Sequence, residues 1–600
     1  MDDQNKNLII ATVLSSVVIL IWMVFFPPTP PVEETLPPAQ AGDTSVPDVA
    51  STPSTTPGAR APVEEATPVA EAPRLPLDTD RIEGSISLTG GRIDDLRLKD
   101  YRETIDPTSP IVQMLEPSGK ADAYYALYGW APGAGLTLED VPGALTPWQV
   151  EQGSNLTQNS PVILRWDSPS GLIFRRTISI DADYMFTITQ EVENTGAGAV
   201  SLAPYGVIAR HGEPEDLKNF FILHEGIVAM ADGTQSEIDY NDMPDFDIHP
   251  TEGARAEVTQ VAQNGWIGFT DHYWMSALVP APGSAFKQVV KYDERSNIYQ
   301  AEAVLPTVQL APGAREAVTT RLFAGAKEWE TIRAYEKGGI EGFLDSIDWG
   351  WFFFLTKPIF AALHLLNAAI GNMGVAIIVL TLGIKAILFP LAYKSYVSMA
   401  KMKELQPQME KIKERVGDDR EKLQKEMMGL YKKEKVNPAA GCLPILLQIP
   451  IFFSLYKVIF VTLELRHANF FGPFKDLSAP DPTSIFNLFG AFPWAAPEQG
   501  SIMALVFIGI MPLLLGISMW LQQKLNPAPT DPTQQMIFAW MPWVFMFMLG
   551  SFASGLVVYW IANNMITFTQ QYIIMRSHGA KPDVFGNIRK SFNRGKGGKG

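Results

Sequence analysis

Apolar residues along this chain follow three different rules, and the changeovers between them divide it. From Leu8 to Phe26 they run without interruption, long enough to cross a bilayer with little tilt. The leader MDDQNKN is not basic, and the run ends in FFPPTPP rather than at small residues, so an uncleaved signal-anchor is expected in place of a removed export signal. Residues 27–80 are rich in Pro, Ala, Thr and Glu and poor in large apolar side chains. Such a stretch buries too little surface to offset its ordering entropy, which predicts a disordered tether. From about 81 to 325 the period becomes two. In TISIDADYMFTITQEVEN, Tyr184, Phe186, Ile188 and Val192 point one way, and Met185, Thr187, Thr189 and Glu191 the other. Similar alternation in RIEGSISL and around VVKYDE, punctuated by Gly and Pro, predicts one large antiparallel β-sandwich.

The period then changes to that of helices. Over 326–355, Trp329, Ile332 and Tyr335 share one face, Phe343, Leu344 and Ile347 follow the Gly338-Gly339 break, and an aromatic cluster closes the segment at 349–354. Aromatic rings of this kind suit the headgroup layer, and the pattern predicts a helix lying on the outer bilayer surface rather than docked on the sandwich. Five apolar runs follow, at roughly 373–393, 443–464, 501–522, 536–552 and 555–575, making six expected spans with the first. Between the second and third, Lys394 to Lys435 carries twelve Lys/Arg. There Met399, Met402, Leu405, Met409, Ile412 and Val416 repeat at helical steps, Gly417-Asp418-Asp419 interrupts, and Leu423, Met427 and Leu430 resume. A helical hairpin at 394–435 is expected. The fold class is thus a polytopic α-helical membrane protein with six spans, carrying an extracytoplasmic antiparallel β-sandwich, with a helical core at 356–575 and a basic tail at 576–600.

Charge orients this arrangement. The formal net charge of -16 is uneven, acidic in front and basic behind. The basic hairpin and tail belong on the cytoplasmic side, and an even number of spans then puts both termini in the cytoplasm. The single cysteine, Cys442, excludes an intramolecular disulfide. In the sandwich His211, His224, Glu225 and His272 are the candidates for acid-base work, but their spacing is not diagnostic and no catalytic role is assigned. No nucleotide-binding motif of the P-loop type is present in the sequence, so no internal energy source is expected, and no enzyme, cofactor or metal is expected either.

Lys385 is the residue on which function turns. It stands alone in MGVAIIVLTLGIKAILFPLAY, where a charge costs a few kcal/mol on insertion scales. One reading is snorkelling, the stem carrying the ammonium to the interface. The other is a watery cavity inside the membrane, with Thr381 one helical turn away on the same face. In the last span Trp560, Asn564, Thr567 and Gln571 share a face, with Asn563 beside it, and Gln448 interrupts the third. Each polar residue singly reads as interhelical hydrogen-bond glue. In combination with Lys385 they read as a hydrophilic groove. In the hairpin, Met399, Met402, Met409 and Met427 form a stripe suited to varied apolar partners, or else the seam between its two helices.

The segment VLTLGIKAILFPLAYKSYVSMAKMKELQPQMEKIKERVGDDREKLQKEMMGLYKKEKVNPAAGCLPILLQIPIFFSLYKVI, with DPTQQMIFAWMP and SGLVVYWIANNMITFTQQYII, resembles the YidC/Oxa/Alb family of membrane-protein insertases over about 349–580. The preceding β domain matches a Gram-negative member by position and class. The resemblance implies an inner-membrane insertase and chaperone that receives nascent membrane proteins in a cytoplasm-facing groove, alone or with the Sec translocon. It also implies a basic tail that contacts the ribosome. Thr381 and Trp560 match positions associated with substrate contact, and Lys385 falls where many members carry arginine, which keeps the charge but loses the guanidinium fork. A secondary transporter is a rival, although no inverted repeat is found. A membrane-anchored periplasmic ligand-binding protein is another, which leaves the hairpin and five further spans without a purpose.

Overall fold

The computed structural model describes residues 72–215, 217, 223–417, 419–434, 436, 443–498, 501–526 and 532–579. The expected signal-anchor, most of the tether, Cys442 and the tail from residue 580 onward lie outside the described residues. Two antiparallel sheets, of ten and nine strands, form the expected sandwich. It begins earlier than expected, because Arg74–Asp78, within the stretch assigned to the tether, pairs with Ile82–Ser87. Leu75 and Leu77 supply the inward positions of that short strand, a pattern hidden among prolines.

Along Met185–Asn194 the even positions Phe186, Ile188, Gln190 and Val192 face the core as the alternation requires. Gln190 meets the cost of its burial by donating to the Tyr205 carbonyl of the opposite sheet at 3.2 Å. Arg176 does likewise, donating to the carbonyls of Gly90, Gly91 and Tyr128 while its guanidinium lies 4.5 Å from the Trp148 ring. Met185 departs from the expected outward orientation and is buried too. Its ladder partner Phe323 is covered on the outer face by Tyr335 and Phe343, at ring distances of 5.9 and 5.5 Å.

Those two rings belong to the segment expected on the bilayer. Helix α1, Trp329–Lys337, puts Ile332 into the sandwich core, and the Tyr335 hydroxyl donates to Asp181 at 2.8 Å. Full burial of a side chain such as Ile332 or Phe343 stabilises by about 1.5–3 kcal/mol, and that face is used up on the sheet. The interfacial reading of this helix is therefore corrected to docking. Glu328, just before α1, fixes its start by accepting from Arg81, Tyr101, Tyr184 and Thr331.

Helix α2, Phe353–Ile370, was not foreseen as a separate element. Among the described residues it is the one helix that by itself is long and apolar enough to cross a membrane. Its contacts tie it to the sandwich. Its middle residue His364 reaches Glu330 of α1 at 3.0 Å and Glu464 at 3.8 Å, and Phe360 packs on Trp329 and Trp349. It lies at the sandwich end of the helical region.

The other apolar runs appear as α3 (Met373–Ile387), α4 (Phe389–Val416), α6 (Leu443–Val461), α7 (Ile502–Val506), α8 (Ile510–Leu525), α9 (Pro532–Leu549) and α10 (Ser554–Ser577), with α5 (Arg420–Lys433) completing the hairpin. The run 373–393 is not one straight helix. It bends by 71° between α3 and α4, where Pro390 sits in the first turn of α4 and suits a helix start rather than an interior. The run 501–522 is likewise divided into α7 and α8. Helix α10 is central, packing on α3, α4, α6 and α8. Close approach depends on small residues: a Cβ on Gly374 of α3 would lie 2.2 Å from the Phe470 ring, and one on Gly516 of α8 2.8 Å from Met546 Sδ.

The hairpin forms as the periodicity requires, but its stripe is divided. Leu405 and Met409 pack with Leu430 and Val436, with Met402 and Met427 half-buried beside them. Met399 belongs to a different cluster with Tyr396 and Ile574 of α10. The free apolar surface expected from these methionines is largely absent, because the seam uses it. Met428 is the exposed one.

The helical region is tied to the sandwich. Lys457 of α6 pairs with Asp348, which also accepts from the His224 amide at 3.0 Å. His272 donates through Nε2 to the Phe460 carbonyl at 2.7 Å and stacks on its ring at 4.8 Å. His224 is held between Asp239 and the Ile227 carbonyl. These histidines hold structure together.

Candidate functional site

A cavity of about 650 Å³ lies among α3, α4, α6, α8, α9 and α10. Lys385 enters it from the last turn of α3, two residues before that helix ends. Its ammonium does not snorkel outward. It donates to Gln448 Oε1 at 2.9 Å, and Gln448 Nε2 donates to the Tyr559 hydroxyl at 3.0 Å, a chain running from α3 through α6 to α10. The bend after Ile387 makes this possible by ending α3 close to Lys385, so the ammonium meets α6 instead of continuing along a straight span.

The cavity has two unlike ends. Toward the sandwich it is closed by aromatic rings. Trp560 stacks on Phe452 at 5.2 Å and meets Phe552 edge-on at 6.1 Å, and Phe452 stacks in turn on Tyr456 at 6.0 Å. Tyr456 leads to Phe460, and so to His272 of the sandwich. Toward the hairpin the lining becomes polar, with Asn563, Asn564, Thr567 and Gln571 of α10 facing Gln522 of α8 and Asn526, which caps that helix. Asn564 donates to Ser518 at 3.1 Å and Gln571 to Asn526 at 3.2 Å. These two are interhelical glue as well as lining. Asn563 Oδ1 is buried with no hydrogen-bond partner among the described residues. Buried polar atoms without partners cost about 1–3 kcal/mol, and Asn563 is one of the residues lining the cavity.

Lys385, Gln448, Trp560, Asn563, Asn564 and Thr567 all border this one space, as their pattern in the sequence predicts. Thr381 does not. It is buried, and its hydroxyl donates to the Ile377 carbonyl of its own helix at 2.7 Å, so sharing a face with Lys385 does not bring it to the cavity. Of the hairpin methionines only Met399 borders the cavity, while Met402, Met409 and Met427 do not line it. Tyr396, Met519, Gln522 and Tyr559 also line the cavity, beyond the residues the sequence pattern predicts. Gln522 and Asn526 stand at i and i+4, a signal that was available in the sequence. Tyr559 was obscured by its neighbour Trp560.

Residues 74–362 match the family described as YidC periplasmic domain, and residues 365–581 the family described as 60Kd inner membrane protein. The first match begins at the first strand, not at the expected end of the tether. The membrane protein insertase YidC of Ruegeria pomeroyi is 67% identical, with 99% of each chain covered, and that of Dinoroseobacter shibae is also 67% identical over 99% of each. Among solved structures, the active YidC insertase with its first transmembrane domain resolved aligns with 84% of this chain and 95% of its own, at 16% identity and a TM-score of 0.34. On sequence identity over its whole length, this chain belongs to the YidC membrane protein insertase family.

Proposed function

We propose that the chain inserts membrane proteins through the cavity around Lys385, used as a groove that admits the polar part of a substrate while its apolar part enters lipid. Membership of the insertase family makes it an inner-membrane protein whose work is membrane-protein insertion, and its substrates are membrane proteins. The observation that carries the groove reading is the inward-turned ammonium of Lys385, hydrogen-bonded to Gln448 in a space closed by rings toward the sandwich and polar toward the hairpin. A hydrated positive site at that position shortens the desolvation path of an entering segment and attracts acidic ones. The energy comes from burial of the arriving helix.

In this reading the six apolar runs span the bilayer with both termini in the cytoplasm, supported by the basic hairpin. Helix α2 lies across the outer ends of α3 and α6. The hairpin and basic tail face the ribosome, whose phosphates they complement, and insertion proceeds alone or beside the Sec translocon. Thr381, buried and self-satisfied, acts through helix packing.

Photocrosslinkers placed at residues 560 and 563 of the full chain, presented with ribosome-stalled nascent membrane proteins, test the groove. Crosslinks from both, and none from residue 381, are expected. Crosslinks confined to the sandwich while insertion proceeds would refute it.

A further inference from the structure

A second cavity, of about 490 Å³, lies outside the groove, where the sandwich meets the chain leaving α6. One wall is built from Lys99, Asp100 and Arg102 at the end of the strand Arg92–Arg102, together with Ile105 in the following loop. The other wall carries His467 and Lys475. Its volume is within the ~300–1,000 Å³ range of small-ligand sites.

The lining carries three cations, Lys99, Arg102 and Lys475, against one carboxylate, Asp100. Lys99 pairs with Asp78 and donates to the Thr79 carbonyl at 2.6 Å, and Asp100 accepts at 2.7 Å from Arg81, a guanidinium that also pairs with Asp183 and Glu328. Burial and the neighbouring Arg466 push the His467 pKa down, against the pull of Asp476. Arg102 and Lys475 remain. Arg102 donates through one nitrogen to the Ser109 carbonyl, leaving the rest of its fork available, and Lys475 has no ion-pair partner among the described residues.

The frame is rigid and strained. Arg466 donates to the Arg102 carbonyl at 2.6 Å and lies 5.4 Å from the Trp274 ring, fixing one wall against the other. His467 holds a left-handed φ of 57°, and its amide donates to Asp476 Oδ1 at 3.2 Å. A non-glycine residue in that region is strained and persists where the surroundings over-determine it, as at ligand sites. Ile105 of the lining is 54% exposed, and Phe471, next in the chain to the lining Gly472, is 57% exposed. Phe471 packs 4.1 Å from Phe470, which abuts Gly374 in the first turn of α3. The rim therefore lies level with the end of α6 and the start of α3.

We propose that this cavity binds the phosphate of an anionic phospholipid headgroup from the outer leaflet, with Arg102 and Lys475 on the phosphate and Ile105 and Phe471 against the first acyl carbons. The charge-assisted pairing follows from the guanidinium fork and ammonium. The choice of a lipid as source rests on the topology proposed above, whereas the cation pair does not.

Delipidated full chain in neutral detergent is titrated with phosphatidylglycerol, phosphatidylcholine or inorganic phosphate and read by native mass spectrometry and phosphorus NMR. The expected result is at least tenfold preference for phosphatidylglycerol over phosphatidylcholine, lost in Arg102→Glu/Lys475→Glu and retained in Lys475→Arg. Lys475→Gln, at an exposed position, is the milder variant that preserves folding and should lose several-fold. Equal retention by wild type and Lys475→Gln overturns the site. Inorganic phosphate binding as tightly as phosphatidylglycerol overturns the lipid source. Lys385→Glu, which tests the groove, should leave lipid retention unchanged, so the two readings fail separately.

Discussion

Lys385→Glu is expected to abolish insertion of substrates whose translocated segment is acidic, while Lys385→Arg preserves it. The size of the effect follows from the cavity. A sphere of its 650 Å³ volume has a radius of about 5 Å, so an admitted carboxylate comes within roughly 6 Å of the ammonium, worth about 3 kcal/mol at an effective dielectric near 20. That is about 100-fold in occupancy. A neutral side chain at 385 forfeits this attraction and leaves Gln448 Oε1 without its donor, a further cost of about 1–3 kcal/mol to the fold. Glutamate reverses the field, a total swing of about 6 kcal/mol. Arginine keeps the charge and a donor for Gln448. The assay is protease protection in inner-membrane vesicles of two substrates that differ only in having acidic or neutral translocated residues. Lys385→Met should depress the acidic-to-neutral insertion ratio by up to about 100-fold, and Lys385→Glu further. A glutamate variant that melts like wild type and inserts both substrates at wild-type ratio refutes the electrostatic role.

The Lys457–Asp348 pair predicts an asymmetry. Asp348→Ala removes the carboxylate paired with a buried ammonium and should cost up to about 3–5 kcal/mol, whereas Lys457→Met leaves Asp348 with the His224 and Gly350 amides and should cost less, with the double variant milder than Asp348→Ala alone. Thermal unfolding in detergent checks this, and equal losses in both single variants would sink it. In the sandwich, burial pushes the Glu302 carboxyl up to about 7, against the pull of Lys291. A raised folded pKa gives stability that is full below the unfolded value near 4.5 and lost as pH rises through about 7, by roughly 1–3 kcal/mol. Hydrogen exchange of the strands Phe286–Asp293 and Ile298–Val304 in the full chain should show that decline, flattened in Glu302→Gln. In the hairpin, Met409→Ser should destabilise the helix pair by about 2–4 kcal/mol, while Met428→Ser leaves exchange protection of 420–433 unchanged. Equal protection in both variants would show that the seam does not hold the hairpin.

Whatever depends on local periodicity and charge is legible along the chain. Alternation fixes which side of Met185–Asn194 is buried, because successive strand side chains point to opposite faces whatever they meet. Helical spacing predicts the hairpin and its Gly417 break, and the grouping of Trp560, Asn563, Asn564 and Thr567 around one space follows from the 3.6-residue turn. Tertiary structure decided the rest, since it depends on what lies opposite. The amphipathic face of α1 is the same whether lipid or a sheet covers it, and Phe323 decided for the sheet. Methionines at helical steps read alike as receptor or seam until α5 and α10 take up their apolar faces. Thr381 shares a face with Lys385, but only the arrangement of the other helices determines how far along that face the cavity extends. The inward turn of Lys385 depends on a glutamine 63 residues further on, brought within 2.9 Å by a proline-associated bend. Periodicity is a property of neighbours in the chain, and a partner is a property of the fold.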